Sequence, residues 1–160
     1  MKKTGLDATD IRILKAVQSH GQISKARLAE IVNLSPTPCW ERLNRLKARG
    51  VITGYRAEIA LNKLCDFTTV IVTVSLAHHR KADFDRFEAH IRTLDEIVEC
   101  IATGGGMDYV LKVISPTLAT FQELLDKLFS ADVEVDRYMT YIAVRQVKAQ
   151  QPDLSILLAR

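Results

Sequence analysis

The sequence contains few of the residues that build disulfide frameworks, metal sites or membrane spans. Its three cysteines, Cys39, Cys65 and Cys100, are odd in number and widely spaced, which argues against a disulfide framework and a CxxC metal site. No apolar run approaches the length that crosses a bilayer, and no apolar stretch follows Met-Lys-Lys-Thr-Gly at the N-terminus. We therefore expect a globular protein of the reducing cytoplasm, without a membrane partner.

Positive charge is concentrated in the first part of the chain. Up to Cys65 there are 12 Lys+Arg and 5 Asp+Glu, a net charge of +7, whereas from Asp66 onward there are 10 and 14, a net charge of −4. The overall charge of +3 therefore conceals a strongly basic N-terminal half. This asymmetry indicates a polyanionic partner for that half alone.

The run from Asn33 to Ile52 predicts a basic helix with well-marked ends. Ser35 is a suitable N-cap, because its hydroxyl can accept from an N–H of the first turn, and Pro36 and Pro38 fall where a missing N–H costs little. Gly50 can adopt the left-handed conformation that ends a helix. At 100° per residue the helix has a buried stripe and an outward face. The stripe consists of Cys39, Leu43 and Leu46; the outward face consists of Thr37, Pro38, Glu41, Asn44, Arg45 and Ala48.

Two apolar patterns upstream predict helices over residues 7–19 and 24–32, the second capped by Ser24. Their predicted buried positions are Ile11, Leu14 and Val17 in the first and Leu28, Ile31 and Val32 in the second. Asn33-Leu34-Ser35 is then a tight turn with Leu34 inside. The pattern predicts a helix-turn-helix in a three-helix domain, whose last helix enters the DNA major groove. The competing interpretation is a small helical domain with a solvated basic face.

The rest of the chain follows a different pattern. Residues 51–59 predict a strand leading out of the helical domain, and residues 61–66 predict a linker. Further strands are predicted over 68–76 (buried on both faces), 96–103, 107–115 and 138–147, with helices over 82–94, 117–129 and 154–158. The order β-α-β-β-α-β is the ferredoxin-like arrangement, in which two helices cover one face of a four-stranded sheet. Because the strands carry apolar residues on both faces, we expect the uncovered face to be a dimerisation surface.

The string Ser-Pro-Thr-Pro-Cys-x-x-Arg-Leu-x-x-Leu-x-x-x-Gly-Val-Ile at residues 35–52, followed by a βαββαβ module with a glycine-rich turn before Asp108-Tyr109, resembles the Lrp/AsnC family. These are leucine-responsive and asparagine-type regulators of bacteria and archaea, and the resemblance covers essentially the whole chain. It implies an α+β protein with a winged helix-turn-helix domain (1–54), a strand and linker (55–67) and a RAM domain (68–160). It also implies binding to double-stranded DNA in the nucleoid, and assembly into homodimers and then octamers or related forms. A small amino acid or related zwitterion would bind between dimers, with no other cofactor.

The resemblance also implies roles for particular residues. The implied DNA contacts are Ser35, Thr37, Arg42 and Arg45, with Asn44 and Lys47 as further candidates. The implied effector residues are Gly104, Gly105, Gly106, Met107, Asp108, Tyr109, Leu118 and Tyr141. Among them, Leu118 and Tyr141, with Ile142 and Ala143, match positions that line or support the cleft in relatives. Many members have Gly-Asp-Φ-Asp-Tyr (Φ apolar) in this loop, whereas this chain has Gly106 in place of the first acid. The resemblance therefore does not identify the effector.

The residues themselves leave alternatives at the DNA site. Arg45 lies near the centre of the outward face and can reach a guanine edge in bidentate fashion. Arg42 lies on the flank, where it contacts a phosphate or pairs with Glu41 or Glu30. Trp40, beside the apolar stripe, is interpreted as a packing residue rather than an intercalator.

The predicted effector loop also has simpler interpretations. The three glycines can merely form a turn, or their N–H groups can hold a carboxylate while Asp108 takes an ammonium group or caps its own turn. His78 and His79 are adjacent but point in divergent directions, so a solvated loop is favoured over a metal site. No catalytic constellation stands out. Three functions are therefore compared: a ligand-responsive regulator, an architectural nucleoid protein and, as the least favoured, a small-molecule enzyme.

Overall fold

A computed structural model describes residues 5–130 and 133–158. The described residues form two compact units. One contains the residues up to Ile59 together with those from Lys148 onward, and the other contains Ala60–Val147. The predicted domain limits at residues 54 and 68 stay a prediction.

The first unit contains three helices that match the predicted helix-turn-helix. They are α1 (Ala8–His20), α2 (Lys25–Val32) and α3 (Pro36–Ala48). Their core consists of Ile13, Leu14, Ala16, Val17, Leu28, Ala29, Val32, Cys39, Leu43 and Leu46, with Leu34 packed against it. Two predicted core positions were wrong: Ile11 is half-buried, and Ile31 is exposed. The helices are rotated slightly from the predicted wheel, so that Ile13 and Ala29 take the inner positions.

The helix ends follow the predicted signals with one exception. The Ser24 hydroxyl accepts from the Arg27 N–H at 3.2 Å, and Gly50 adopts a φ of 67° after α3. Ser35 occupies the N-cap position of α3, but its side chain makes no capping hydrogen bond. The third residue of α3 is Pro38, so one of the two N–H groups that a capping hydroxyl can bind is missing.

The predicted strand over residues 51–59 is wrong, because these residues form no strand among those described. The Val51 and Ile52 N–H groups instead donate to the Leu46 carbonyl near the end of α3. A strand needs a neighbour to satisfy its backbone groups, and the described residues of the first unit contain none. Tyr55 and Ile52 still pack against the helical core.

The chain returns to the first unit at its C-terminal end. The predicted helix over 154–158 is confirmed as α6 (Leu154–Leu158), and Leu154 packs against the helical core. Asp153 caps this helix through the Ser155 N–H at 2.9 Å and pairs with Lys15 of α1 at 3.0 Å. These bonds lower the pKa of Asp153 to about 2, chiefly through Ser155.

The second unit has the predicted βαββαβ order. Its elements are β1 (Thr68–Leu76), α4 (Lys81–Ile91), β2 (Ile97–Ala102), β3 (Tyr109–Ser115), α5 (Leu118–Ser130) and β4 (Val135–Ile142), after a single 3-10 turn at Leu61–Lys63. The four strands form one antiparallel sheet in the order β2-β3-β1-β4. This is the ferredoxin-like topology, and it confirms the predicted α+β fold class.

Strand β4 starts earlier and ends earlier than predicted. Val135 pairs with Leu76, and the last backbone bond of the ladder runs from the Ala143 N–H to the Thr69 carbonyl. Because β1 begins at Thr68, the residues after Ala143 have no partner strand, and the predicted strand segment over 143–147 is absent.

The two faces of the sheet are buried to different degrees. Val70, Val72 and Val74 of β1 are fully buried against α4 and α5, whereas Ile71 and Thr73 on the other face are only half-buried. The predicted burial of β1 on both faces is therefore wrong for a single copy of the chain. No helix among the described residues is long and apolar enough to cross a membrane.

Candidate DNA-binding face and effector loop

The outward face of α3 carries the polar side chains that the sequence predicts for DNA contact. Ser35, Thr37 and Asn44 are exposed, and the Ser35 hydroxyl has no hydrogen-bond partner among the described residues. The face is held rigidly because Cys39, Leu43 and Leu46 on the opposite side are buried in the helical core. A rigid helix with an open polar face has the form of a major-groove reading element.

Both arginines of α3 are bound to a buried carboxylate that the sequence analysis missed. Asp10 of α1 is 1% exposed. The Arg45 Nη2 donates to both oxygens of Asp10 at 2.9 Å, and the Arg42 Nη1 donates to the same side chain at 3.0 Å. Arg42 also pairs with Asp7, the N-cap of α1, and the hydrogen bond and charge of Asp7 raise the pKa of Arg42.

The two arginines differ in what remains available to a partner. The Arg45 side chain is 51% exposed, and only one of its nitrogens donates to Asp10. The rest of its guanidinium therefore faces solvent in a fixed orientation. Arg42 is 31% exposed and has two carboxylate partners. The predicted pairing of Arg42 with Glu41 or Glu30 was wrong, because α1 lies beside this flank and Glu30 pairs with Arg27.

Asp10 could have been identified from the sequence. It lies four residues before Leu14 and seven before Val17, on the buried stripe of α1, where a carboxylate needs a cationic partner. Asp7 and Asp10 also have the spacing of a capping box, and each accepts from the other's backbone N–H.

Trp40 packs against the helical core, which confirms its interpretation as a packing residue. Two lysines lie over aromatic rings at this side of α3. The Lys25 Nζ lies 4.5 Å from the centre of the Trp40 ring, and the Lys47 Nζ lies 5.5 Å from it. Lys47 also lies 5.1 Å from the centre of the Tyr55 ring. Lys25 is not among the DNA contacts predicted from the sequence.

In the second unit, the predicted effector loop connects β2 to β3. A side chain at Gly104, Gly105 or Gly106 would meet open space, and Gly105 has a φ of 144° that favours glycine. The Arg137 side chain of β4 donates to the Gly106 carbonyl at 3.0 Å, and the Thr103 hydroxyl donates to the Met107 carbonyl. The loop is therefore a turn that two side-chain hydrogen bonds hold in place, with open space beside its glycines.

Asp108 is committed to contacts inside its own chain. Its carboxylate accepts from the Leu76 N–H at 2.8 Å and from the Ser75 hydroxyl at 3.2 Å, and the His79 ring lies 3.1 Å from both oxygens. Burial raises the pKa of Asp108, but these donors, led by the Leu76 N–H, outweigh burial and hold that pKa below its ordinary value. Asp108 therefore pins the loop to the end of β1.

Tyr109 does not face the open side of the loop. As the first residue of β3 it points toward the helices, where it is 2% exposed and lies 4.6 Å from the Phe87 ring. Its hydroxyl donates to Glu88 at 3.1 Å, and burial and Glu88 together raise its pKa. Strand alternation explains this placement, because Leu111 and Val113 point the same way.

The remaining predicted effector residues lie away from Asp108 within one copy of the chain. Leu118 begins α5 beyond the far end of β3, so it is roughly 20 Å or more from Asp108 at about 3.3 Å per strand residue. Tyr141 lies on β4 opposite Ile71, about 13 Å further along the strands than Asp108 and two strands away. Leu118 and Tyr141 are both about half exposed.

The adjacent histidines point to different partners, as expected. His78 lies 3.1 Å from Glu134, and His79 lies 3.1 Å from Asp108. Within residues 5–130 and 133–158 no three His, Cys, Asp or Glu side chains are grouped as a metal site would require. His79 and Arg137 are contacts of the loop that the sequence analysis missed, because their partners lie far along the chain.

Known proteins match the chain along most of its length. Residues 6–53 match the family described as winged helix-turn-helix DNA-binding, and residues 69–153 match the Lrp/AsnC ligand binding domain. The chain is 42% identical over 151 residues to the transcriptional regulatory protein DoeX of Halomonas elongata, covering 94% of this chain and 96% of that protein. It is 39% identical to the leucine-responsive regulatory protein of Haemophilus influenzae, covering 92% and 89% of the two chains.

Solved structures match as well. The AsnC family transcriptional regulator from Agrobacterium tumefaciens superposes with a TM-score of 0.88 at 27% identity, covering 96% of this chain and 99% of that chain. A transcriptional regulator from Neisseria meningitidis, solved as a complex with L-Met, superposes with a TM-score of 0.86 at 26% identity, covering 94% and 99%.

The helix-turn-helix, the polar outward face of α3 and the ligand-binding module define a DNA-binding transcriptional regulator. The ligand-binding family model matches more than half of the chain, and the relative DoeX is 42% identical over 94% of it. These two matches narrow the class from DNA-binding regulators in general to one family. The chain belongs to the Lrp/AsnC family of regulators.

Proposed function

We propose that this protein recognises particular DNA sequences through α3 and that a small amino acid, bound between copies of the chain, modulates that recognition. The observation that carries the first part is Arg45, half exposed at the outward face and fixed in orientation by the buried Asp10. A guanidinium that is already oriented loses little freedom when it bonds a guanine edge. The protein is proposed to act in the cytoplasm, on the nucleoid.

The other DNA contacts are divided by their position on α3. Thr37 and Asn44 lie with Arg45 on the outward face and are proposed to meet base edges. Ser35, whose hydroxyl is not used as a cap, is proposed to donate to a phosphate at the start of the helix. Arg42 and Lys47 lie on opposite flanks and are proposed as backbone contacts.

A second copy of the chain is proposed to cover the open face of the sheet. Ile71 and Thr73 lie beside Met139 and Tyr141 on this face, and both β4 residues are about half exposed. The Thr73 hydroxyl oxygen is buried and has no hydrogen-bond partner among the described residues. A buried hydroxyl without a partner is unfavourable, and a neighbouring chain can supply the partner.

The effector is proposed to bind where copies meet. Asp108 lies at one end of the sheet and Leu118 at the other, so one copy cannot bring both to a single small molecule. The Neisseria meningitidis regulator solved with L-Met supports an amino acid as the class of ligand. No metal or catalytic role is assigned.

The proposed DNA function is tested by comparing duplexes selected from a random library with unselected duplexes at one salt concentration. Sequence-specific regulators bind their sites roughly 10³-fold or more tighter than other DNA. Arg45→Ala should reduce this ratio, whereas Arg42→Ala should weaken binding to both DNAs alike. A ratio near one for the wild type would favour the alternative, an architectural nucleoid protein.

The effector proposal is tested by a thermal-shift screen of amino acids and related zwitterions. A ligand at a hundred times its dissociation constant should stabilise the folded state by about 2.7 kcal/mol. The shift should be reduced in Asp108→Ala and retained in Lys63→Gln, an exposed change on the same unit. Light scattering should show that the ligand changes the distribution of oligomers; an unchanged distribution would refute binding between copies.

A further inference from the structure

We propose that Lys25 and Lys47, held over Trp40 and Tyr55, form a second contact with the sugar-phosphate backbone of double-stranded DNA. We call these four residues the lysine–aromatic flank. The flank lies on the side of α3 opposite to Asp7 and Asp10. The inference rests on the DNA-binding function and assigns to Lys25 a role that the sequence analysis did not give it.

Uncompensated positive charge is distributed unevenly around α3. Arg42 pairs with Asp7 and Asp10, Arg45 pairs with Asp10, and Arg27 pairs with Glu30. Each of these arginines therefore presents less net charge to a polyanion. In contrast, neither Lys25 nor Lys47 has a carboxylate partner among the described residues.

The two ammonium groups lie close to each other and to helix ends. They lie 4.5 and 5.5 Å from the centre of the same Trp40 ring, so they are within about 10 Å of each other. Lys25 is the first residue of α2, and Lys47 lies in the last turn of α3. The first helix of a helix-turn-helix crosses the DNA backbone, and the positive end of its dipole favours phosphate there.

The two lysine side chains are preorganised by the aromatic rings. A lysine ammonium over the face of an aromatic ring is attracted to the negative face of the ring's π-system. Trp40 itself is anchored in the helical core, so the rings form a fixed platform for two otherwise flexible side chains. Holding the side chains before binding lowers the entropy that ordering them costs in the complex.

The salt dependence of DNA binding tests this inference. For each phosphate contact that is lost, the slope of log K against log salt falls in magnitude by about 0.9. In the double variant Lys25→Gln/Lys47→Gln the magnitude of this slope should therefore fall by nearly two for each DNA-binding domain. The fall should be the same on selected and unselected duplexes. The charge-conserving variant Lys25→Arg/Lys47→Arg should retain the wild-type slope. Lys63→Gln, which removes an exposed charge outside the helical unit, should also retain it.

Trp40 provides an independent readout because it is the single tryptophan of the chain. Its emission should change during titration with unselected duplex DNA, since phosphates bound to the ammonium groups come close to the ring, and the change should be smaller in the double Gln variant. A wild-type slope in a folded double Gln variant, or an emission unaffected by bound DNA, would overturn the inference. Absence of wild-type DNA binding would instead refute the DNA function itself.

Discussion

Replacing Asp10 by Asn tests how the recognition helix is held and oriented. The substitution preserves the size of a side chain that is 1% exposed, but it removes the charge that faces two arginines. It also places an amide N–H₂ group where the carboxylate accepts from Arg45 at 2.9 Å on both oxygens. One former acceptor therefore becomes a donor that faces a donor.

The expected loss of stability follows from the burial of the pair. Removing one partner of a fully buried ion pair costs about 3–5 kcal/mol. Because the Arg45 side chain is half exposed and water can replace part of the interaction, we expect about 2 kcal/mol for Asp10→Asn. For a unit of this size that corresponds to a fall of roughly 8–16 °C in the melting temperature of the helical unit.

The same substitution should affect sequence selectivity more than general DNA affinity. A bidentate arginine–guanine contact contributes about 1–3 kcal/mol of discrimination, and a mobile Arg45 would lose most of it. Asp7→Asn is the matched control, since Asn is an equally good N-cap and Arg45 keeps Asp10. Binding to selected and unselected duplexes should be measured below the melting temperature of each variant. An unchanged ratio in Asp10→Asn would refute the positioning of Arg45 by Asp10.

Other substitutions test the second unit. Phe87→Ala, at a fully buried site beside Tyr109, should reduce the free energy of unfolding by about 3–5 kcal/mol in urea titrations. The pKa of Asp108 is lower in the folded state, so its stabilisation is present above its ordinary pKa of 3.8 and is lost as the pH falls through the folded value. Asp108→Asn should therefore flatten the acid side of the stability profile; an unchanged profile would contradict the contacts with Leu76 and His79. If an effector ammonium group binds Asp108, His79→Ala should tighten effector binding by removing a competitor, as titration calorimetry would show, and weaker binding would exclude that mode.

The sequence predicted the elements that depend on local signals. The three helices were found because Ser24 and Gly50 mark helix ends and apolar residues repeat at helical spacing. The βαββαβ order was found because β-branched runs alternate with amphipathic segments. Both signals act over a few residues, and tertiary packing did not overrule them.

The errors lie where distant parts of the chain decide the outcome. Residues 51–59 carry strand-forming residues but find no partner strand, and β4 ends at Ile142 because β1 begins at Thr68. Arg42 pairs with Asp10 and Asp7, which lie 32 and 35 residues away in the sequence, rather than with a nearby glutamate. A helical wheel shows which residues share a face, but it does not show which neighbour that face meets.

The contacts of Asp108 restrict how the predicted effector loop can bind a ligand. Gly106 stands where many relatives have an acid, and the acid that remains already binds the Leu76 N–H, Ser75 and His79. One copy therefore offers an ammonium group no unengaged carboxylate in this loop. A site completed by a second copy would not depend on an unengaged carboxylate in this loop. Such a shared site has a thermodynamic consequence. If the ligand binds only where copies meet, it stabilises the assembly, and by reciprocity the assembly tightens the ligand to the same degree. The apparent affinity for the effector must then rise with protein concentration, whereas a site within one copy would give a constant affinity.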